Sequence, residues 1–466
     1  MASFRSKLAR LTPKAAGPAR AIPAEEPEPE LSALRQALAH ALGRPAASSR
    51  VGSGEAPPLE QDDLALTVVE PGDGAGGRLH RRRRVLPPGQ RFGSVCLHDA
   101  PLGDRRMLSL LALTPALASA DLERVLFLDT ETSGLGSGTA NVAFLVGLAY
   151  HEDGQLVLEQ LFLRERDEEE AMLREVARRI EACEVIASYN GKSFDLPVLR
   201  GRFVMAGLRP PPERTHLDLL HLARRVHRQR AWGKSLPNLE REVLGFRRGP
   251  DIAGEEVAAR YRHYLRTGVT AGLRAVIDHN EWDVLSLVAL VALYGEPLER
   301  LSASDIASAA RVVRRAGDLE EAASLAQRAV TQGAGSHGLR VRAEVAKARG
   351  DKQQALADFE ALAATVGDPS ARLELAKLYE HHLREPGRAL AMVELGVDED
   401  GAAVARRRAR LTRKLARTRA QEHARGGAGA GAAQPPPRAG APSAIRTSAV
   451  GTLDPHGRGE AGKAAG

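Results

Sequence analysis

Between Val125 and Leu163 three apolar runs of strand length succeed one another with only turn residues between them, and this succession limits the fold more than any other feature of the chain. Val125-Leu126-Phe127-Leu128 is continuous, as in a strand covered on both faces. Asn141 to Tyr150 and Gln155 to Leu163 follow, set apart by a Gly-rich stretch and by Asp153-Gly154. Strands joined by such short connections predict an antiparallel meander. Asp167, with Glu170 three residues on, reads as a capping box opening a helix that ends near Cys183, and Val185 to Tyr189 reads as a fourth strand. Helical stretches follow at Asp195 to Ala206, Leu217 to Arg228, Gly254 to Arg266 and Ala271 to Tyr294. Strands, an αβ crossover and then helices predict an α/β domain over residues 121–297, its mixed sheet flanked by helices.

Residues 301–400 carry no strand signal. Gly317-Asp318-Leu319-Glu320-Glu321-Ala322 aligns with Gly350-Asp351-Lys352-Gln353-Gln354-Ala355, and again with Gly387-Arg388-Ala389, so alanines recur at spacings of 33 and 34. That period belongs to helix-turn-helix repeats of the tetratricopeptide kind, an all-α helical-repeat domain. Residues 1–62 are rich in Pro, Ala and Glu and predict a disordered arm with one short helix at Leu31 to Leu42. Residues 63–120 have short apolar runs, a Gly72 to Gly77 patch and the Arg81 to Arg84 run. They read as an extension packing on the α/β core, with the four arginines either a solvated loop or an approach to phosphate. Residues 401–466 read as a basic helix followed by a disordered Gly/Ala/Pro tail.

The net charge of +7 belongs to that tail: from Arg406 onward there are 13 Lys/Arg and 3 Asp/Glu, which leaves −3 for everything before it. A basic tail suits a polyanion. The two cysteines, Cys96 and Cys183, have no zinc-type spacing and suit a reducing compartment. The N-terminus lacks a signal-peptide core, and the longest uncharged apolar stretch, Met107 to Ala120, contains Pro115 and falls short of the roughly 18 residues a membrane span needs. The expectation is a cytoplasmic protein with no membrane partner.

Three local motifs carry chemistry. In Phe127-Leu128-Asp129-Thr130-Glu131-Thr132-Ser133-Gly134-Leu135 a strand ends in two carboxylates at i and i+2, on one face of an extended chain, as hard oxygen ligands for Mg²⁺ or Mn²⁺. Ser188-Tyr189-Asn190-Gly191-Lys192-Ser193-Phe194-Asp195 sets an acid where a strand gives way to a helix; alone, Asp195 would read as a helix cap. In Asp278-His279-Asn280-Glu281-Trp282-Asp283, His279 and Asp283 lie one turn apart on one helix face; alone, they would read as a surface pair.

In this order the motifs resemble the DEDD exonucleases of the ribonuclease H-like superfamily, and more narrowly the bacterial YprB-like proteins, which carry helical repeats behind the nuclease. Leu217 to Arg225, Leu236 to Gly245 and Asp251 to Gly254 look like the same family. The resemblance implies a 3′-5′ exonuclease with two divalent cations, Mg²⁺ or Mn²⁺, held by Asp129, Glu131, Asp195 and Asp283, and with His279 as general base. It implies that Thr132, Leu135 and Asn190 meet the terminal nucleotide. His279 stands at the spacing where DEDDy enzymes place tyrosine, a departure from the pattern. The implied substrate is nucleic acid, a single strand or 3′ end, DNA rather than RNA, in repair, beside a helicase or another protein bound by the repeats. An RNA-processing enzyme and a repeat scaffold with a vestigial centre are the competing readings. Arg224, Arg225, Arg228, Arg230 and Lys234 around Trp232 are either phosphate and base contacts or a solvated helix face.

Overall fold

Val125, Leu126, Phe127 and Leu128 are all buried because the strand they form is central and covered on both sides. The computed structural model describes residues 64–69, 78–134 and 141–429. Its strands are β1 (Thr67–Val69), β2 (Leu79–Val85), β3 (Arg91–Phe92), β4 (Val95–Cys96), β5 (Val125–Thr132), β6 (Ala143–Glu152), β7 (Gln155–Phe162), β8 (Val185–Ser188) and β9 (Thr215–Asp218). Seven of them form one mixed sheet in the order β1-β2-β7-β6-β5-β8-β9, while β3 and β4 make a separate hairpin. The meander β5-β6-β7 is antiparallel, and β5, β8 and β9 run parallel. The N-terminal arm with its Leu31–Leu42 helix, the Gly72–Gly77 patch, Leu135 and the tail beyond residue 429 lie outside the described residues.

Helices cover both faces. They are α1 (Arg105–Ala112), α2 (Glu169–Ala182), α3 (Asp195–Met205), α4 (Leu219–Val226), α5 (Leu236–Leu239, continuing as a π turn to Leu244), α6 (Gly254–Thr267) and α7 (Leu273–Gly295). Val125, Phe127, Val185 and Ala187 meet the C-terminal half of α7 and α4 in one core. Leu126, Leu128 and Ile186 meet α2 and α3 in the other, which the first turns of α7 and Tyr261 of α6 also enter. α7 therefore reaches both cores, which sets its register against β5 and β6.

The sequence reading differs from the structure in three places. Leu217 opens no helix: Leu217 and Asp218 end strand β9, opposite Ala187 and Ser188, and Asp218 then caps α4 by accepting from the Leu220 amide at 3.1 Å. The Arg81–Arg84 run is no solvated loop but the middle of β2, paired with β7. Arg81 donates to Glu159 at 3.3 Å and Arg82 to Gln160 at 3.2 Å and Glu281 at 2.9 Å, while Arg83 pairs with Glu152 and Arg84 with Glu281. Arginines occupy a strand here because their stems lie on the sheet and each guanidinium finds an acid or amide. The capping box before α2 is formed by Glu165 and Glu168, not by Asp167 and Glu170.

Behind the sheet lie paired helices: α8 (Ala303–Ala316) with α9 (Leu319–Thr331), α10 (Gly335–Arg349) with α11 (Lys352–Val366), and α12 (Pro369–Leu378) with α13 (Pro386–Glu394), followed by α14 (Gly401–Gly429). The periodic Ala322, Ala355 and Ala389 fall in the second helix of each pair and are fully buried. Asp305 on α8 anchors this region to the sheet domain: it is buried, accepts from Arg230 at 2.8 Å and lies 3.3 Å from His227. Despite its burial, these partners hold its carboxyl well below the usual range. Arg225 donates to the Leu111 and Ala112 carbonyls and Lys234 to those of Arg230 and Trp232, so three of the five basic residues around Trp232 serve the fold.

Gly147 on β6 is where α7 comes closest to the sheet. A Cβ there would lie 2.3 Å from Asn280 Oδ1 and 2.6 Å from Val284 Cγ2. Gly147→Ala is therefore expected to push α7 outward and cost about 1–3 kcal/mol, read as a lower urea midpoint. An unchanged midpoint would mean that α7 is not seated by this contact.

Candidate metal centre

β5 ends in its two acids directly across from the close approach of α7. Asp129 pairs with Gly147, and the register shifts between Glu131 and Thr132, an irregularity at the strand end. Asn280, fully buried on α7, donates to Asp129 Oδ2 at 2.9 Å. Its own Oδ1 accepts from Gln160 of β7 at 3.0 Å, and Gln160 also donates to the Ile277 carbonyl at 2.8 Å. This chain of amides fixes α7 so that His279 and Asp283 stand over Glu131. His279 Nε2 lies 3.5 Å from Asp283 Oδ2 and 3.9 Å from Glu131 Oε1, and one donor atom from each of the three falls within 4.8 Å of the others.

Asp195 enters from the other side as the first residue of α3. Its Oδ1 accepts from the Thr130 amide at 3.0 Å and hydroxyl at 2.6 Å, so it is pinned to β5 beside the other acids. The turn before it is shaped by Asp218, which accepts from the amides of Asn190 at 2.9 Å and Lys192 at 3.3 Å. Asn190 takes φ of +65°, a conformation Asn tolerates better than most residues. A Cβ at Gly191 would sit 2.4 Å from Ser188 Oγ and 2.9 Å from Asp195 Oδ2, so only glycine lets the turn pass this close to the acid.

Thr130, Glu131, Thr132, Phe194, Asp195 and Val257 line part of a cleft of about 270 Å³ between the end of β5 and α6. Thr132 Oγ1 is turned to the Gly134 carbonyl at 2.6 Å, and Phe194, 51% exposed, leans over the opening. Leu135 lies outside the described residues. The structure thus brings Asp129, Glu131, Asp195, His279 and Asp283 together, with Thr132 at the cleft and Asn190 in the adjoining turn.

Four residues of this neighbourhood carried no assigned role in the sequence: Asn280, Asp218, Arg248 and Asp251. The Arg248 side chain is 6% exposed, donates to both oxygens of Glu240 at 2.6 Å and to Asp251 Oδ2 at 3.0 Å, and pairs with Asp283 Oδ1. Asp251 Oδ1 meets His279 Nδ1 at 2.7 Å. Both lie in the loop before α6, and only a buried arginine and an acid just ahead of a helix could have hinted at them.

Electrostatics show what the cluster lacks. Burial first, then the charges of Asp283, Asp195 and Glu131, push the Asp129 carboxyl well above the usual range, against the hydrogen bond from Asn280. Burial and Asp283, reinforced by Asp195, push Glu131 up to about 8, although His279 and Arg248 oppose this. Burial raises Asp195 to about 6 despite the Thr130 bonds. Burial pulls His279 down, but Asp283, Glu131 and Asp251 outweigh it and raise it overall. Carboxylates that raise one another's proton affinity form a site short of positive charge, and an all-oxygen set with one imidazole at its edge fits a divalent cation.

These shifts have a sign that can be measured. Glu131 ordinarily titrates near 4.5, so a folded value of about 8 means that between pH 7 and 8.5 it holds a proton only in the folded protein. Stability from that proton is full below the unfolded value and is lost as pH rises through 8. His279 and Asp129 act in the same direction, whereas His151, His216 and His337, all held low, oppose it weakly and only near pH 7, where the unfolded imidazole still keeps part of its proton. In chelator, the melting temperature should fall from pH 7 to 8.5, and less steeply in Glu131→Gln. Equal slopes in the two proteins would contradict this.

Residues 126–294 match the RNase H superfamily. The uncharacterized protein YprB of Bacillus subtilis (strain 168) is 37% identical over 166 residues, which is 35% of this chain and 40% of that protein, so the match spans less than half of the relative's length. A solved structure of the family B DNA polymerase from the hyperthermophilic archaeon Pyrobaculum calidifontis is 18% identical with a TM-score of 0.28, covering 41% of this chain and 29% of that one. The match falls on the sheet domain and takes in Asp129, Glu131, Asp195, His279 and Asp283. Residues 126–294 thus form a ribonuclease H superfamily domain, and this part of the chain is similar to YprB.

Proposed function

We propose that this protein is a nuclease that hydrolyses phosphodiester bonds of nucleic acid, working as a 3′-5′ exonuclease on single-stranded DNA in repair. The observation that carries the reading is the convergence of Asp129, Glu131, Asp195 and Asp283, drawn from β5, α3 and α7, at one end of the central strand of a ribonuclease H superfamily domain. Two divalent cations, Mg²⁺ or Mn²⁺, fit these acids and would supply neutralisation of the phosphate and polarisation of the attacking water.

The chain's own residues do the rest. Asn280 and Thr130 hold Asp129 and Asp195 in place through hydrogen bonds. The cleft beside Thr132 and Phe194 is open to the last nucleotide of a strand, with the exposed ring of Phe194 available to stack on a base. Asn190, in the turn ahead of Asp195, stands near the sugar-phosphate. Two uses of His279 fit this arrangement: it accepts a proton from the attacking water, or it gives its Nε2 lone pair to a cation. The helical pairs behind the sheet offer a surface to a protein partner such as a helicase, and the basic C-terminal residues suit a polyanion. The reading places the protein in the cytoplasm; among the described residues no helix is long and apolar enough to cross a membrane.

The test uses 5′-labelled single-stranded DNA and RNA oligonucleotides with Mg²⁺, Mn²⁺ or EDTA. A ladder shortening from the 3′ end, lost in EDTA and reduced on the order of a thousandfold in Asp129→Ala because several kcal/mol of charge stabilisation go with the ligand, is the expected result. Degradation of RNA alone would move the assignment to RNA processing, internal cuts would remove the polarity, and no cleavage of single-stranded, duplex or flapped substrates would overturn the nuclease reading.

A further inference from the structure

We propose that His279 is itself a ligand of the divalent cation, through Nε2, and that Asp251 and Arg248 position it there, so that this centre prefers Mn²⁺ to Mg²⁺. The inference rests on the nuclease reading only in requiring a divalent cation at these acids. It departs from the expectation that His279 serves as the base.

Asp251 Oδ1 lies 2.7 Å from His279 Nδ1, closer than Arg248 Nη1 at 3.3 Å, and a carboxylate only accepts, so Nδ1 is the nitrogen that donates. In the neutral ring Nε2 is then an acceptor, and it points at two further acceptors, Asp283 Oδ2 at 3.5 Å and Glu131 Oε1 at 3.9 Å. Three acceptors aimed at one another need a proton or a cation between them, and a divalent cation can meet all three at once. Ligands bonded to one ion at about 2.1 Å stand roughly 3–4 Å apart, and all three donors here lie within 4.8 Å of one another.

The surrounding hydrogen bonds reserve these atoms. Arg248 takes Asp283 Oδ1 and Asp251 Oδ2, which leaves Asp283 Oδ2 and Asp251 Oδ1 as the oxygens that face His279. Glu240, nearly fully buried and also bonded to Ser286 Oγ at 2.6 Å, locks the guanidinium from behind. A carboxylate accepting from one imidazole nitrogen while the other meets a cation is the usual way a ligand histidine is oriented. Carboxylates suit Mg²⁺ and Mn²⁺ alike, but an imidazole nitrogen is a softer donor that the hard Mg²⁺ takes less readily than a first-row transition ion such as Mn²⁺.

The test measures binding rather than turnover, on the full chain stripped of metal. Free Mn²⁺ is followed by electron paramagnetic resonance, the bound ion by electron spin-echo modulation, and Mg²⁺ by calorimetry. The expected results are tighter binding of Mn²⁺ than of Mg²⁺ and a ¹⁴N coupling typical of a directly bound imidazole. His279→Gln should erase that coupling and weaken Mn²⁺ at least tenfold, with a smaller effect on Mg²⁺. Asp251→Ala should weaken Mn²⁺ about 10- to 100-fold, with circular dichroism and melting showing that both variants fold. Mn²⁺ bound without ¹⁴N coupling, or with equal affinity in His279→Gln, would overturn the ligand assignment and leave His279 as proton acceptor with the nuclease reading intact. Failure of Mn²⁺ and Mg²⁺ to bind at all would overturn both.

Discussion

The seating of α7 on the sheet through Gly147 and Asn280 is the contact on which the rest of this domain depends. Absence of a side chain at residue 147 lets the helix approach until Asn280 reaches Asp129, and Gln160 completes the amide's bonding from β7. A buried amide is costly unless its hydrogen bonds are made, so this polar chain specifies one helix register among those that the apolar face of α7 would accept. That register delivers His279 and Asp283, one turn apart, to the end of β5.

The same packing accumulates negative charge. Asp129, Glu131, Asp195 and Asp283 gather in one site where Asp283, Asp195 and Glu131 oppose the ionisation of Asp129, and Asp283 and Asp195 that of Glu131, and the domain offsets only part of this with Arg248 and His279. Stability is given up locally so that a strongly electronegative position exists where a cation is needed, a trade common at functional sites. The two cores on either side of the sheet, and the anchoring of the helical pairs through Asp305, supply the rigidity that holds the acids against their mutual repulsion.

Much of this was legible in the sequence where the signal is local. The run Val125–Leu128 declares a central strand, and acids placed just after a strand, just at a helix start and at i and i+4 in a helix declare their own geometry. Strand β9 was hidden because four residues ending in Leu217-Asp218 merge into the apolar spacing of α4, and β2 because four arginines are a poor strand signal until Glu159, Gln160 and Glu281 are brought beside them. Asp218, Asn280, Arg248 and Asp251 escaped for the same reason. Each acts on a partner about 28 to 151 residues away, a pairing that only the tertiary fold creates.

The central claim is that the acids at the end of β5 form a cation site. It is tested most directly by growing crystals in chelator, soaking them in Mn²⁺, and recording anomalous scattering from the ion. The account predicts a strong anomalous peak bounded by Asp129, Glu131 and Asp283, with the Asp283 side chain still braced by Arg248. A map without such a peak at saturating Mn²⁺, with Arg248 and His279 as the sole counter-charges of the cluster, would contradict it.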